Sequence, residues 1–228
     1  MPQIWMFGAN INITKVIVDK SCLTCTSVGS YFIHSMPTIQ HVDLGGLSNC
    51  TSIGASFLNG THALVTVDLL PLSKCTSIGY SFLAYCAKLK TVNLSPLSNC
   101  TKVDHRFLYG CKLLSSLDLV PLSSCTSVGD RFLVDCSSLR QVSVRNGTKI
   151  AEAMQGAKLA NCNVVATTGN TSGESTPSTV YTKGTTPDEY CFDISKGSLH
   201  GGDEKPPEAA TTLRLVKPKG VKKMPQIW

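Results

Sequence analysis

The chain has 228 residues, 42% of them hydrophobic, enough for one sizeable core with or without a tail. Its net charge of +6 is small and dispersed, which removes the main electrostatic argument for a specific nucleic-acid partner. No apolar run approaches the roughly 18 residues a membrane span needs, and the opening M-P-Q-I-W-M-F-G-A lacks the charged start, apolar block and cleavage site of a secretory leader, so neither is expected.

Residues 1–21 stand apart from the rest and are expected to form an N-terminal capping segment. Within them N-I-N-I-T-K-V-I-V-D alternates and then runs apolar, which suits a short strand covering an otherwise bare end. From Cys22 to Arg145 the chain repeats. Cys25, Cys50, Cys75, Cys100 and Cys125 are each followed by Thr and recur with a 25-residue period, with no insertion over five copies. A fixed period of this size marks a solenoid.

Counting from that Cys as position 0, position 3 is Val28, Ile53, Ile78, Val103, Val128, and position 7 is Phe32, Phe57, Phe82, Phe107, Phe132. Positions 17 and 19 (Val42 and Leu44, Val67 and Leu69, Val92 and Leu94, Leu117 and Leu119, Val142 and Val144) alternate with polar residues, predicting a short half-buried strand. The mixed spacing of positions 7, 8, 11 and 14 predicts a helical turn, entered through a bend at the position-4 glycines Gly29, Gly54, Gly79 and Gly129. Pro71, Pro96 and Pro121 end the strand, and positions 22, 0 and 3 trace an inward return leg.

Eleven cysteines suggest a disulfide scaffold until they are placed on the repeat: five form the first column, and Cys86, Cys111 and Cys136 form a second one eleven residues later. Fixed phase makes these packing positions, and an odd total fits poorly with full pairing. Reduced, buried thiols are expected, hence a reducing, cytoplasmic compartment. Glycosylation sequons at Asn12, Asn49, Asn59, Asn93, Asn99, Asn146 and Asn170 pull the other way, toward a glycosylated cell-surface protein.

The series L-x-x-V-x-L, then P-L, then C-T-S-I-G-x-x-F-L-x-x-C, over about residues 22–166, resembles the leucine-rich repeat superfamily and is most similar to its BspA-like, or Treponema-type, subclass. That resemblance implies an α/β solenoid: a right-handed array of about five 25-residue coils with parallel strands on a concave face. It also implies a non-enzymatic scaffold whose concave face meets a protein partner.

After Arg145, N-G-T reads as a turn, Ile150–Ala160 as a helix, and N-V-V-A-T as one more strand, with a 22-residue spacing from Val142 to Val164; residues 146–167 are expected to be a C-terminal cap. Residues 168–228 are rich in Ser, Thr, Gly and Pro and are expected to be a low-complexity, mostly disordered tail. M-P-Q-I-W, residues 1–5, returns as residues 224–228.

Catalytic constellations are poor, and neither a metal nor a cofactor is expected. Cys22-Leu-Thr-Cys25 has a metal or redox spacing but falls on repeat positions, and Asp104-His105 has no nucleophile in a recognisable elbow. The outward strand positions are more informative. Position 16 holds His41, Thr66, Thr91 and Ser116; position 18 holds Asp43, Asp68, Asn93 and Asp118. These eight are the candidate partner-binding residues, suited to a basic or hydrogen-bonding protein.

Overall fold

In the computed structural model, which describes residues 12–156, 159, 162–167, 189–193, 211–216 and 223–224, the 25-residue period becomes a strand register. The strands are β1 (Lys15–Val18), β2 (Ser27–Val28), β3 (His41–Asp43), β4 (Ser52–Ile53), β5 (Ser77–Ile78), β6 (Lys102–Val103), β7 (Ser116–Asp118), β8 (Ser127–Val128), β9 (Gln141–Arg145), β10 (Asn163–Thr167), β11 (Glu189–Asp193), β12 (Thr212–Val216) and β13 (Lys223–Met224). One α-helix among the described residues, α1 (Lys149–Gly156), follows β9. The described pairings are all parallel, in three sheets ordered β13-β2-β4-β5-β6-β8, β11-β12-β1-β3 and β10-β9-β7. The result is a solenoid-like repeat fold.

The continuous ladder is the one on the return leg: Ser27 pairs with Ser52, Ser52 with Ser77, Ser77 with Lys102, and Lys102 with Ser127. The strand expected at positions 17–19 forms only toward the two ends, at β1, β3, β7 and β9. Val65–Leu69 and Lys90–Leu94 carry no strand, and Lys90 N–H to Val65 O at 3.2 Å joins those two repeats. The return leg is better tied because three groups per repeat bond to the repeat below. Thr76 N–H donates to Thr51 O at 2.8 Å, Gly79 N–H to Ile53 O at 2.9 Å and the Thr76 hydroxyl to Thr51 O at 3.2 Å.

The inward columns are where the sequence puts them. Positions 0, 7, 8, 14, 19 and 22 are buried in every repeat that has them. The phenylalanines form one stack, with successive centroids 5.4, 5.3, 5.5 and 5.0 Å apart and planes within 10° of parallel. Aromatic pairs in isolation prefer offset or edge-on geometry. Here the backbone ladder fixes the spacing, and a side chain repeated in register can only stack on itself.

The segment between position 4 and the outward strand is not helical, contrary to the mixed-spacing expectation. Positions 6, 8 and 10 alternate into the left-handed region, as at Ser81, Leu83 and Tyr85 with φ of 58°, 51° and 58°. Bulky residues adopt this region at a cost. What holds them there is hydrogen bonding between repeats: Ser81 N–H donates up to His105 O (2.9 Å), Leu83 N–H down to Phe57 O (2.9 Å) and Tyr85 N–H up to Tyr109 O (2.6 Å). A helix would spend these amides within one repeat, and a stack spends them between repeats. The 3₁₀ turns lie instead at positions 20–22, as at Leu70–Leu72 and Ser95–Leu97, where Pro71 and Pro96 sit in the first turn.

The position-4 glycines serve close approach rather than a bend. A Cβ on Gly79 would lie 2.6 Å from the carbonyl carbon of Gly54, and one on Gly54 2.6 Å from that of Gly29. None of these glycines has positive φ.

At the C-terminal side, Thr148 caps α1 by accepting from Ala151 N–H at 3.2 Å, and the helix ends at Gly156. β10 then pairs with β9 so that Val164 faces Val142, as the 22-residue spacing predicts. At the N-terminal side three short strands come from the expected tail, the rest of which lies outside the described residues. β11, β12 and β13 all fall within residues 168–228, and β12 pairs with β1. Leu213 is buried, and Arg214 meets Asp19 at 3.2 Å. The physical reason is in T-L-R-L: alternating leucines supply the strand that the exposed edge of β1 needs. Residues 1–11 of the expected cap lie outside the described residues.

Phe82→Ala is expected to cost about 3–5 kcal/mol, read as a lowered denaturant midpoint, because the ring is fully buried between two others. Gly79→Ala is expected to cost about 1–3 kcal/mol by forcing two repeats apart. An unchanged midpoint in either variant would contradict the register.

Candidate functional site

All eight outward residues named from the sequence are exposed: His41, Asp43, Thr66, Asp68, Thr91, Asn93, Ser116 and Asp118. The register of β1 with β3 and of β7 with β9 puts position 16 over position 16 and position 18 over position 18.

The position-18 column also has a structural task that its outward phase alone did not reveal. Asp43 Oδ1 accepts from Gly45 N–H at 2.8 Å, Asp68 Oδ1 from Leu70 N–H at 2.9 Å, Asn93 Oδ1 from Ser95 N–H at 3.0 Å and Asp118 Oδ1 from Val120 N–H at 3.0 Å. Each is an Asx turn that starts the 3₁₀ segment. The signal was present: in four repeats this position is Asp or Asn, the two residues whose side chain reaches the amide two residues on. One side-chain oxygen is spent on the fold, and the other side-chain atom of each group is held in a fixed direction toward solvent. Neighbouring carboxylates one repeat apart repel by only about 1 kcal/mol in water. Leu70, 59% exposed, shares the outward phase of Asp68 and adds an apolar element beside it.

A second cluster, half-buried except for the exposed Tyr85, was not foreseen. The Arg106 guanidinium lies 5.2 Å from the Tyr80 ring centroid and 5.8 Å from that of Tyr109, and Tyr85 meets Tyr109 edge-on at 5.1 Å. A hydrogen bond with Asp135 is the main cause holding the Tyr109 phenol above its usual range. Positions 5, 6, 9 and 10 vary between repeats, so no column marked them.

Other residues singled out in sequence take plain roles. His105 is exposed; its Nδ1 accepts from Asp130 N–H at 2.9 Å, and its Nε2 is 3.5 Å from Asp104 Oδ1. Asn49 Nδ2 donates to Leu23 O at 2.7 Å and Asn99 Nδ2 to Ser73 O at 2.9 Å, so two sequon amides tie repeats together. Among the described residues no three His, Cys, Asp or Glu side chains gather as a metal site, and no helix is long and apolar enough to cross a membrane. A groove of about 400 Å³ lies between the last repeat (Val128–Phe132) and Lys149 and Glu152 of α1, away from the outward strand face.

The cysteine columns are hydrogen-bonded packing. Cys75 Sγ donates to Cys50 O and Cys100 Sγ to Cys75 O, both at 3.2 Å, and Cys111 Sγ donates to Leu83 O at 3.2 Å. Desolvation pushes Cys50, Cys86 and Cys100 up to about 12, and Cys75, Cys125 and Cys136 up to about 11, from 9.0. Such thiols stay protonated near neutrality and are poor nucleophiles.

With the repeat register and its outward column in place, the comparison with known families is decisive. The BspA type leucine rich repeat region, in six copies, matches residues 4–114 and 51–181, and the chain belongs to that family. No curated protein and no solved structure matches the chain.

Because the folded thiols hold their protons to higher pH than unfolded ones, their contribution to stability is intact below about pH 9. It falls as pH rises toward 11–12. Replacing Cys75 and Cys100 by Ala is expected to flatten that alkaline decline in a urea titration; an unchanged slope would contradict the assignment.

Proposed function

We propose that this protein is a non-enzymatic scaffold that binds a protein partner through its outward strand face. We read the repeats as a right-handed array of about five coils with this face concave. The observation that carries the reading is the oriented position-18 column: three carboxylates and one amide, each fixed by the amide two residues on. Fixed acceptors lose little side-chain entropy on binding, which favours recognition of Lys, Arg or amide groups. The position-16 hydroxyls and His41 supply adjacent donors, and Leu70 an apolar contact.

The buried, protonated cysteine columns favour the reducing, cytoplasmic compartment. The glycosylated surface-protein reading keeps one specific support: the sequon asparagines Asn12, Asn49, Asn93, Asn99 and Asn146 are exposed. Intact mass of protein from its native source separates the two, a polypeptide-only mass supporting the first.

The test must preserve the Asx turns. Changing Asp68, Asn93 and Asp118 to Lys would remove both charge and cap, so lost binding would be ambiguous. Asp43→Asn, Asp68→Asn and Asp118→Asn together keep every Oδ1 acceptor and remove three charges. With the chain immobilised as bait, the triple variant is expected to lose the captured partner while its melting temperature stays within a few degrees, since each retained exposed cap changes stability by only about 0.5 kcal/mol or less. Undiminished capture would place the partner elsewhere.

A further inference from the structure

The return-leg ladder has an upper end, and the described chain leaves it open. Each lower repeat is tied to the one above through three main-chain groups, at positions 1, 3 and 6. In the fourth repeat Thr101 O accepts from Thr126 N–H at 2.8 Å, Val103 O accepts from Gly129 N–H at 2.9 Å, and Arg106 N–H donates up to Asp130 O at 2.9 Å. The same three bonds join the repeats beneath. In the last repeat the equivalent groups are Thr126 O, Val128 O and Arg131 N–H, and none of them has a main-chain partner among the described residues. β8 is the last strand of its sheet.

The edge is open because the next coil is built differently. β10 supplies its outward strand, with Val164 over Val142, but a helix stands in the chain where a return leg would follow β9. A helix keeps its amides to itself, as Glu152 N–H does by donating to Thr148 O at 3.1 Å. Ile150 and Met154 of α1 are buried. Lys149, Glu152 and Ala153, one face of the helix by their spacing, instead line the groove of about 400 Å³ opposite Val128–Phe132. Burial records the missing rung. Position 3 is buried at Val28, Ile53, Ile78 and Val103, but Val128 is only half-buried.

The rungs below dictate what fits. The occupant is extended chain running parallel to β8, with the N–H groups of positions 1 and 4 and the C=O of position 5 turned down. Its position-3 side chain is apolar, because it lies over Val128 as Ile78 lies over Ile53. Glycine follows, as in four of the five repeats: a Cβ on Gly79 would come 2.6 Å from the carbonyl carbon of Gly54 below.

We propose that the groove between β8 and α1 is a second docking site, which takes an extended segment of a partner protein with a β-branched apolar residue followed by glycine. That segment joins the return-leg sheet as one more parallel strand. It bonds through Thr126 O, Val128 O and Arg131 N–H and covers Val128. The site is separate from the outward strand face.

The probe is the acetylated and amidated peptide T-S-I-G-Y-S, the sequence of residues 76–81, added to the full-length chain. Saturable binding is expected by anisotropy of a fluorescein-labelled form. Amide exchange at Arg131 is expected to slow by about tenfold or more at saturation, while Asp135, beyond the peptide's reach, stays fast. T-S-I-P-Y-S lacks the position-4 donor, and S-Y-G-I-S-T reverses the chain; both are expected to fail. Ala153→Trp and Ala153→Glu, which fill the groove from the helix side, are expected to weaken binding about tenfold or more with the melting temperature little changed. The Asp43→Asn, Asp68→Asn, Asp118→Asn chain is expected to bind the peptide normally, which keeps this site distinct from the outward face. No binding, equal binding of the reversed peptide, or an Arg131 amide indifferent to the peptide overturns the proposal. So does an Arg131 amide already slow in the free chain, which means the edge is occupied, or one that slows with protein concentration alone, which seats a second copy.

Discussion

The separation between successive main chains, set by the parallel ladder at about 4.8 Å per rung, is the constraint on which the rest depends. At that spacing a side chain at a given phase meets itself in the next repeat. Phenylalanine can stack on its own copy, cysteine can donate to the carbonyl of the repeat below, and glycine fills the close-approach position in four of five repeats, with Asp104 in the fourth. A residue unable to meet its own copy would fail in every repeat at once. The columns are narrow for that reason, and the alternating left-handed residues at positions 6, 8 and 10 are held by bonds to repeats above and below.

The same constraint divides labour around each repeat. Apolar burial and thiol bonding occupy the interior, and the return leg supplies the continuous ladder. The outward strand is brief because the Asx turn at position 18 bends the chain straight into a 3₁₀ segment. A group that sets this bend is held in place by it, so the feature that shapes the repeat also orients the surface we assign to a partner. Ends are the weak point of any such stack, since each exposes a rung without a neighbour. Here the upper side is met by α1 and β10, and the lower side by β12 and β13, drawn from a span rich in Ser, Thr, Gly and Pro.

Much of this was legible in the sequence, because periodicity reports packing phase directly. The burial of positions 0, 7, 8, 14, 19 and 22, the Phe stack, the pairing of Val164 with Val142 and the exposure of the eight outward residues all follow from counting. Counting does not report main-chain conformation. Positions 7, 8, 11 and 14 have helix-like spacing, but amides of this segment bond between repeats, which no pattern within one repeat reveals. The tail expectation missed β12 because T-L-R-L-V is short and lies in a polar span, and its partner β1 is near the other end of the chain. The Tyr80–Arg106–Tyr109 cluster was invisible because it is built from positions that differ in each repeat.

The most direct test of the stacked register is residue-resolved amide hydrogen exchange. Strong protection is predicted to recur with the 25-residue period at Gly54, Gly79 and Gly129, and at Leu58, Leu83, Leu108 and Leu133, each donating to the repeat below. Ser56, Ser81 and Arg106 donate upward and should be protected as well, whereas Arg131, at the same position in the last repeat, has no rung above it among the described residues and should exchange fast. Protection without that recurrence, or Arg131 as slow as Arg106, would contradict the stacking of these repeats in register.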